Sequence, residues 1–173
     1  ERLRKLQLEI VKADLLDLSS LREAIDGCDL VFHCAAMVRE TGDRSEFFRT
    51  NVKGTENILK VSGDIGVKKF IHFSSVAVYG MNPPDSTDET TPYQPCGNLY
   101  CDTKIAAEKA VWAAHQEARL PVVVIRPANV YGPYSNPWTI RPIKPVNSGQ
   151  MMLVNGGAGI CNYVYIDYLL DAT

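Results

Sequence analysis

The sequence alternates short, continuously apolar runs with longer segments in which apolar residues recur every three or four positions. The apolar runs occupy residues 8–11, 29–34, 69–75 and 121–126. Strands that are apolar without alternation are covered on both faces, and strands that are joined through helices run parallel to one another. The alternation therefore predicts a doubly wound α/β fold, in which helices cover a parallel sheet.

The segments between these runs carry the periodicity of helices. Ser20, followed three residues later by Glu23, forms a capping-box pattern that predicts the start of a short helix. Apolar residues three or four positions apart predict helices at residues 47–65 and 98–118. Residues 80–97 contain four prolines, two glycines and few apolar side chains, so we predict a surface loop there.

The charge balance disfavours several classes of partner. The 173 residues include 18 basic and 20 acidic side chains, which gives a formal net charge of −2. This balance argues against a nucleic-acid-binding or polybasic membrane surface, and the apolar runs are far shorter than the ~20 residues of a membrane span. We therefore expect a cytoplasmic protein that acts on a small molecule, without nucleic-acid or membrane contacts, and we leave a homodimer open.

The cysteines indicate neither a disulfide framework nor a metal site. Five cysteines form an odd set in a chain that is too large to depend on disulfides. Cys96 and Cys101 are close in sequence, but a zinc site needs further ligands, and the three histidines show no matching spacing. We therefore expect free thiols in a reducing compartment and no metal.

Ligands of an open parallel sheet bind beyond the carboxyl ends of its strands. The residues that follow the predicted strands are Asp14, then Ala35 and Ala36, then Ser74 and Ser75, and finally Pro127, Ala128 and Asn129. Small side chains at such positions let a flat ligand approach the backbone. Tight packing alone is the alternative explanation for Ala35 and Ala36.

Tyr100 and Lys104 are four residues apart in a predicted helix and therefore lie on one face. A tyrosine phenol has a pKa of ~10, and a neighbouring ammonium group lowers this pKa by favouring the phenolate. With the hydroxyl of Ser75, these groups form a set that can move a proton to or from a substrate oxygen. Ser74 is the competing hydroxyl, and an ordinary exposed helix face is the alternative for Tyr100 and Lys104. Redox chemistry at such a set would need a hydride carrier such as a nicotinamide cofactor.

Seven short motifs, in order along the chain, resemble those of the extended short-chain dehydrogenases/reductases. This family includes sugar-nucleotide epimerases and 3β-hydroxysteroid-dehydrogenase-like reductases. Each motif is weak alone, but their order and spacing hold across nearly the whole chain. The matching motifs are Ala13-Asp14-Leu15-Leu16-Asp17, Phe32-His33-Cys34-Ala35-Ala36, Asn51-Val52-Lys53-Gly54-Thr55, Ser74-Ser75-Val76-Ala77-Val78-Tyr79-Gly80, Tyr100-Cys101-Asp102-Thr103-Lys104, Arg126-Pro127-Ala128-Asn129-Val130-Tyr131-Gly132-Pro133 and Tyr163-Val164-Tyr165-Ile166-Asp167.

The resemblance implies an NAD or NADP cofactor and assigns residues to it. Asp14 and the backbone of Leu15 would contact the adenine, and Lys104 would bind the nicotinamide ribose. The full set of implied cofactor-binding residues is Asp14, Leu15, Ala35, Ala36, Tyr100, Lys104 and Pro127. Which of the two cofactors binds depends on a residue after the family's second strand, which would precede Glu1.

The resemblance also implies the residues that act on the substrate. Ser75, Tyr100 and Lys104 match the catalytic residues of the family, with Tyr100 as the acid/base. Ser75, Asn129 and Asn51 match residues on the substrate side, and Asn51 matches an asparagine that shapes the active site.

The sequence departs from the family pattern at two places, and these departures affect the expected fold and the expected activity within the family. No glycine-rich phosphate-binding loop precedes Asp14, so we expect a Rossmann-like doubly wound sheet that lacks its first strands. We expect a partial dinucleotide-binding domain at residues 1–126 and part of a small C-terminal substrate-binding lobe at 127–173, within a longer protein. The 4,6-dehydratases carry an Asp-Glu pair where Val76 and Ala77 stand, so that branch is disfavoured.

These features predict an NAD(P)-dependent oxidoreductase or epimerase acting at a secondary alcohol or ketone of a nucleotide sugar. The first alternative is a ketone reductase that resembles 3β-hydroxysteroid dehydrogenases or dihydroflavonol reductases. The second alternative is a non-catalytic member of the family that senses a cofactor or acts as a scaffold. Such relatives usually lose the tyrosine or the lysine, and this chain keeps both Tyr100 and Lys104.

Overall fold

The structure, a computed structural model, describes residues 6, 8–39 and 41–173. The strands are β1 (Leu30–His33), β2 (Lys69–Phe73), β3 (Val122–Ile125), β4 (Asn129–Tyr131) and β5 (Tyr163–Tyr165). The α-helices are α1 (Leu18–Ile25), α2 (Arg44–Phe47), α3 (Gly54–Ile65), α4 (Leu99–Ala118), α5 (Arg141–Asn147) and α6 (Ile166–Asp171). Short π-helical segments lie at Phe48–Lys53 and Asn136–Ile140, and short 3₁₀ helices lie at Val76–Tyr79 and Val154–Gly157.

The chain forms two compact units, residues 1–124 and 125–173. In the first unit, three strands form a sheet in the order β1-β2-β3, and β1 runs parallel to β2 with Val31 opposite Phe70. In the second unit, β4 pairs in parallel with β5, with Val130 opposite Val164. The predicted domain limits, 1–126 and 127–173, stay a prediction.

The apolar core of the first unit explains why these segments fold together. Side chains from α1, α3 and α4 pack against those of β1 and β2, and each large apolar side chain that is fully buried stabilises the fold by about 1.5–3 kcal/mol. The buried members are Leu21, Ile25, Val31, Ile58, Leu59, Val61, Val67, Phe70, Val111 and Leu120. The parallel sheet and its helices therefore agree with the predicted α/β class.

The predicted strand at residues 8–11 is not formed. Leu8, Ile10 and Val11 are exposed, and this segment has no strand partner within the described part of the chain. An apolar run becomes a strand only where a neighbouring backbone takes its N–H and C=O groups, and no such neighbour is described here.

The predicted capping box at Ser20 and Glu23 is also wrong. Helix α1 begins at Leu18, and the Asp17 carboxylate caps it by accepting a hydrogen bond from the Ser19 N–H at 3.0 Å. The Ser20 hydroxyl instead accepts from the Asp14 N–H at 3.0 Å. An aspartate is as good an N-cap as serine, so composition alone does not choose between them.

The helix predicted at 47–65 is confirmed in outline but begins earlier and is not uniform. Helical backbone starts at Arg44, passes through the π-helical segment Phe48–Lys53 and continues as α3 to Ile65. Gly66 adopts a left-handed conformation with φ 81° and ends the helix. No helix in the described ranges combines the length and apolarity that crossing a membrane requires.

Two glycines of α3 give opposite predictions for the same substitution. A Cβ on Gly54 would lie 2.9 Å from the Leu15 Cβ, whereas a Cβ on Gly63 would meet no atom within 4 Å. We expect Gly54→Ala to destabilise the fold by about 1–3 kcal/mol through overpacking. We expect Gly63→Ala to stabilise it by about 0.5–1 kcal/mol, because alanine loses less backbone entropy. Chemical denaturation measures both, and equal stabilities for the two variants would contradict the close packing of Gly54 on Leu15.

Candidate active site

Ser75 stands at the point where the chain leaves β2. Its backbone is extended, and its Oγ accepts a hydrogen bond from the Ala77 N–H at 3.1 Å, which caps the 3₁₀ helix Val76–Tyr79. Ser75 is half-buried. Ser74 is buried, and its Oγ has no hydrogen-bond partner among the described residues. Of the two competing hydroxyls, Ser75 is therefore the more accessible one.

Tyr100 lies in the first turn of α4. The Asn98 side chain caps this helix, because its Oδ1 accepts hydrogen bonds from the N–H groups of Tyr100 at 3.0 Å and Cys101 at 3.2 Å. The Ser75 hydroxyl lies close enough to the Tyr100 phenol to lower the pKa of the phenol. The structure thus brings together two of the three predicted catalytic groups, one from the end of β2 and one from the start of α4.

The pKa of the Tyr100 phenol differs in sign from the sequence prediction. Burial raises this pKa above its ordinary value of 10.0, and the nearby Ser75 hydroxyl opposes the rise without cancelling it. The prediction that the ammonium group of Lys104 lowers this pKa was therefore wrong, because desolvation of the phenolate outweighs the other effects. At neutral pH the phenol keeps its proton and is ready to donate it.

Lys104 is 5% exposed and lies behind Tyr100. Its Nζ donates a hydrogen bond to the Phe73 carbonyl oxygen at 2.7 Å and lies 5.9 Å from the centroid of the Tyr100 ring. Burial lowers the pKa of Lys104 to about 8, although the nearby Cys34 and Glu108 side chains oppose that shift. An ordinary exposed helix face is thereby excluded for this pair of residues.

Two buried histidines lie in the neighbouring strands β1 and β2, and no sequence pattern indicated a role for them. His33 ends β1 and faces His72 of β2, with ring centroids 5.5 Å apart and exposed fractions of 3% and 1%. Burial lowers the pKa of His33 to about 4, and the charge of Lys104 adds to this shift. Burial lowers the pKa of His72 to about 3, with smaller contributions of the same sign from His33 and Lys104.

Asn51 lies in the π-helical segment and is 2% exposed. Its side chain bonds to both backbone groups of Met37 and to the hydroxyl of Thr103. This geometry gives Asn51 the role of holding the loop after β1. Direct contact of Asn51 with a substrate stays a prediction.

The residues that match the family's adenine contacts line an open cleft. The cleft has a volume of about 440 Å³ and is formed by residues of the segment 12–20 together with Thr50. The Asp14 carboxylate accepts a hydrogen bond from the Leu16 N–H at 2.9 Å, and Asn57 Nδ2 donates to the Leu15 carbonyl oxygen at 2.9 Å. Ala35 is exposed just beyond β1, and Ala36 is half-buried. The strand ends in this unit are therefore open to a flat ligand.

Pro127 and Asn129 belong to the second unit and are described with it. Both are half-buried, and Asn129 begins β4, where its N–H donates to the Asn162 carbonyl oxygen at 2.9 Å. The side-chain Nδ2 of Asn129 donates to the Cys161 sulfur at 3.1 Å. The contacts of Pro127 and Asn129 with cofactor and substrate stay predictions.

The second unit also contains an aromatic cleft that the sequence reading missed. The cleft has a volume of about 250 Å³ and is lined by Tyr131, Trp138 and Tyr163. The ring of Tyr163 lies edge-on to both other rings, with centroids 6.0 Å apart in each case. The rings come from three separate segments, which explains why no local motif indicated the cleft.

One group of possible metal ligands occurs within the described ranges. The sulfur atoms of Cys96 and Cys101 and a carboxylate oxygen of Asp102 lie within 4.8 Å of one another. Cys101 is buried, and its sulfur contacts the Ala77 carbonyl oxygen at 2.9 Å. Three ligands are one short of the tetrahedral set of a structural zinc site.

The sequence is similar to a known enzyme family and to several enzymes of known activity. The model of the NAD dependent epimerase/dehydratase family matches residues 1–173. Cinnamoyl-CoA reductase 1 of Petunia hybrida is 40% identical over 138 residues, which are 75% of this chain and 41% of that protein. The 3 beta-hydroxysteroid dehydrogenase/Delta 5-->4-isomerase of Mycobacterium tuberculosis is 36% identical over 136 residues, which are 73% of this chain and 36% of that protein. The chain thus spans less than half the length of these curated relatives.

Solved structures have the same fold. UDP-glucuronic acid 4-epimerase from Bacillus cereus, in complex with UDP-glucuronic acid and NAD, matches with a TM-score of 0.83 at 25% identity, covering 97% of this chain and 56% of that chain. A dTDP-glucose 4,6-dehydratase from Streptomyces venezuelae, solved with NAD bound, matches with a TM-score of 0.79 at 28% identity, covering 90% of this chain and 50% of that chain. These matches confirm the predicted Rossmann-like α/β fold.

Proposed function

The chain belongs to the NAD-dependent epimerase/dehydratase family, and from this membership we propose that the protein is an NAD(P)-dependent oxidoreductase or epimerase acting at a secondary alcohol or ketone. The observation that carries the proposal is the buried amine of Lys104, 5.9 Å from the centroid of the Tyr100 ring, together with the Ser75 hydroxyl close enough to lower the pKa of the phenol. Groups of this kind at the carboxyl end of a parallel strand suit proton transfer to a bound ligand.

Each residue of the set has a distinct task in this proposal. Ser75 polarises and orients the substrate oxygen through its hydroxyl. Tyr100 donates its phenol proton to that oxygen as a carbonyl is reduced, and takes the proton back in the reverse direction. Since burial keeps the phenol protonated at neutral pH, donation is the direction for which the free protein is ready. Lys104 holds the strand end through the Phe73 carbonyl oxygen and presents its amine beside the phenol.

The residues on the open strand ends fit a nicotinamide dinucleotide. The cleft beside Asp14 and Leu15 would hold the adenine, and the small side chains of Ala35 and Ala36 leave the backbone after β1 accessible. Lys104 would hold the nicotinamide end. When bound, the cofactor supplies or accepts the hydride that side chains cannot provide. The relatives solved with NAD bound support this assignment.

For the substrate we propose a nucleotide sugar. The structural relatives that act on UDP-glucuronic acid and dTDP-glucose support this class, as does the motif beginning at Asn129. Dehydration is disfavoured because apolar side chains, Val76 and Ala77, follow Ser75 in the 3₁₀ helix, where the dehydratases carry two acids. The second candidate is reduction of a carbonyl compound. Its support is the 40% identity to a cinnamoyl-CoA reductase and the 36% identity to a hydroxysteroid dehydrogenase.

A substrate comparison on the full-length protein tests these alternatives. We expect a UDP-hexose or dTDP-hexose to be converted to its epimer without net change in nicotinamide absorbance. Stoichiometric oxidation of NADPH by an acyl-CoA thioester or a ketosteroid would instead favour the reductase. Cofactor binding by calorimetry with no turnover of any of these substrates would contradict the proposed activity and favour a non-catalytic member.

A further inference from the structure

A buried hydrogen bond joins two segments that lie far apart in sequence, and the proposed chemistry does not use it. Asn51 Nδ2 donates to Thr103 Oγ1 at 3.0 Å across 52 positions, and Thr103 is fully buried. We propose that Thr103, held by Asn51, is a positioning residue that fixes Tyr100 for proton transfer. This inference rests on the proposed function, because it concerns the same acid/base group.

The hydrogen bonds of the Asn51 side chain fix its orientation. The backbone N–H of Met37 can only donate, so the Asn51 side-chain atom 2.6 Å from it is the amide oxygen Oδ1. The two hydrogens of Nδ2 then point to the Met37 carbonyl oxygen at 3.1 Å and to Thr103 Oγ1 at 3.0 Å. Both hydrogens of the side-chain amide are therefore bonded inside the protein. The Asn51 side chain connects the loop after β1, at Met37, to helix α4, at Thr103.

The Thr103 hydroxyl is also hydrogen-bonded to the backbone of the turn that carries Tyr100. Its single hydrogen points to the carbonyl oxygens of Leu99, at 2.7 Å, and Tyr100, at 3.1 Å. Its lone pair is therefore available for the hydrogen bond from Asn51. Because these carbonyl groups belong to the first turn of α4, the hydroxyl connects Asn51 to the backbone of Tyr100 itself.

The backbone around Asn51 supports a specialised role. Asn51 lies in the π-helical segment Phe48–Lys53, and such segments are rare and occur frequently at functional sites. The Thr55 hydroxyl donates its single hydrogen to the backbone carbonyl oxygen of Asn51 at 2.6 Å. The same hydroxyl therefore accepts a hydrogen bond from His33 Nε2 at 2.9 Å. A continuous chain of buried hydrogen bonds thus runs from the end of β1, through Asn51 and Thr103, to the turn of Tyr100.

This chain connects both sides of the candidate site. Met37 directly follows Ala35 and Ala36, which lie on the cofactor side, while Tyr100 lies on the acid/base side. The hydrogen bonds of the Asn51 side chain therefore hold the loop after β1 and the turn that carries the Tyr100 phenol in one fixed arrangement. Proton transfer is sensitive to such placement, and a displacement of about 1 Å can lower a rate about 100-fold.

The test compares Thr103→Val with Thr103→Ser in the full-length protein. Valine keeps the shape of threonine but neither donates nor accepts a hydrogen bond, whereas serine keeps the hydroxyl. We expect Thr103→Val to lower kcat about 10-fold with KM nearly unchanged, because a displaced phenol slows the proton-transfer step, which kcat reports. We expect Thr103→Ser to stay close to wild type. Assays run well below the melting temperature of each variant separate positioning from loss of folded protein.

A second measurement needs no turnover. Cys101 follows Tyr100 and is buried, whereas the other four cysteines are exposed. If Thr103 holds the first turn of α4, alkylation of Cys101 by iodoacetamide, followed by peptide mass spectrometry, should be about 10-fold faster in Thr103→Val than in Thr103→Ser. Asn51→Asp, which keeps the acceptor for Met37 but has no hydrogen to donate to Thr103, should show the same gain if Thr103→Val does not fold.

The outcomes separate this inference from the proposed function. Wild-type kcat together with unchanged Cys101 protection in Thr103→Val would overturn the positioning role, even if Tyr100 is essential. An unchanged kcat in a variant whose Cys101 becomes reactive would also overturn it, since the turn would then be loose without consequence. If the wild-type protein turned over no substrate, the proposed function would fail, and Cys101 protection alone would decide whether Thr103 holds the turn.

Discussion

Replacing Tyr100 with phenylalanine should lower kcat by a factor of about 10²–10⁴, which is the range expected when a general acid/base is removed. The ring and its packing remain, so the fold and the position of Lys104 should not change. Only the phenol oxygen is lost, together with its interaction with the Ser75 hydroxyl. Steady-state kinetics of the full-length protein on its nucleotide-sugar or ketone substrate measure the effect.

Two adjacent serines provide a matched control for this result. Ser75→Ala removes the hydroxyl that contacts Tyr100 and should also lower kcat strongly, whereas Ser74→Ala removes a buried hydroxyl that has no hydrogen-bond partner among the described residues. We expect Ser74→Ala to keep kcat close to wild type. Full activity of Tyr100→Phe, or equal losses in the two serine variants, would show that the proton follows another route.

The sequence predicted those elements whose signals are local. The period of apolar residues located α3 and α4, and continuous apolar runs located β1, β2 and β3. The segment 8–11 has the same pattern but forms no strand, because a strand also needs a partner backbone that local pattern cannot reveal. The π-helical winding at Phe48–Lys53 likewise has no sequence signature that periodicity would detect.

The same limit applies to the candidate site. The spacing of Tyr100 and Lys104 predicts that their side chains lie on one helix face, and the Lys104 Nζ lies 5.9 Å from the centroid of the Tyr100 ring. Their joint action with Ser75 stays a prediction. The sign of the pKa shift of Tyr100 was not predictable, since it depends on how deeply the phenol is buried by residues distant in sequence. The hydrogen bond between Asn51 and Thr103 was not predictable either, because the two residues are 52 positions apart and lie in different helical segments.

The two buried histidines should make the protein sensitive to acid at pH values where carboxylates are still ionised. His33 and His72 have pKa values of about 4 and about 3 in the folded protein, against an ordinary value of 6.5. Both therefore stay neutral in the folded state while the unfolded chain binds two protons as the pH falls through 6.5. Their contribution to stability is present above pH 6.5 and is lost as the pH falls toward the folded-state values. The expected loss between pH 7 and pH 5 is about 3–4 kcal/mol.

His72→Phe isolates one half of this effect. Phenylalanine keeps the ring and removes two buried nitrogens that have no hydrogen-bond partner among the described residues. We therefore expect equal or higher stability at neutral pH and a loss between pH 7 and pH 5 that is smaller by about 2 kcal/mol. The Lys104 and Glu108 charges near His72 are present in both proteins, so the difference between the two pH profiles reports the histidine alone. Urea denaturation at several pH values measures both profiles, and parallel profiles would mean that His72 is protonated in the folded protein.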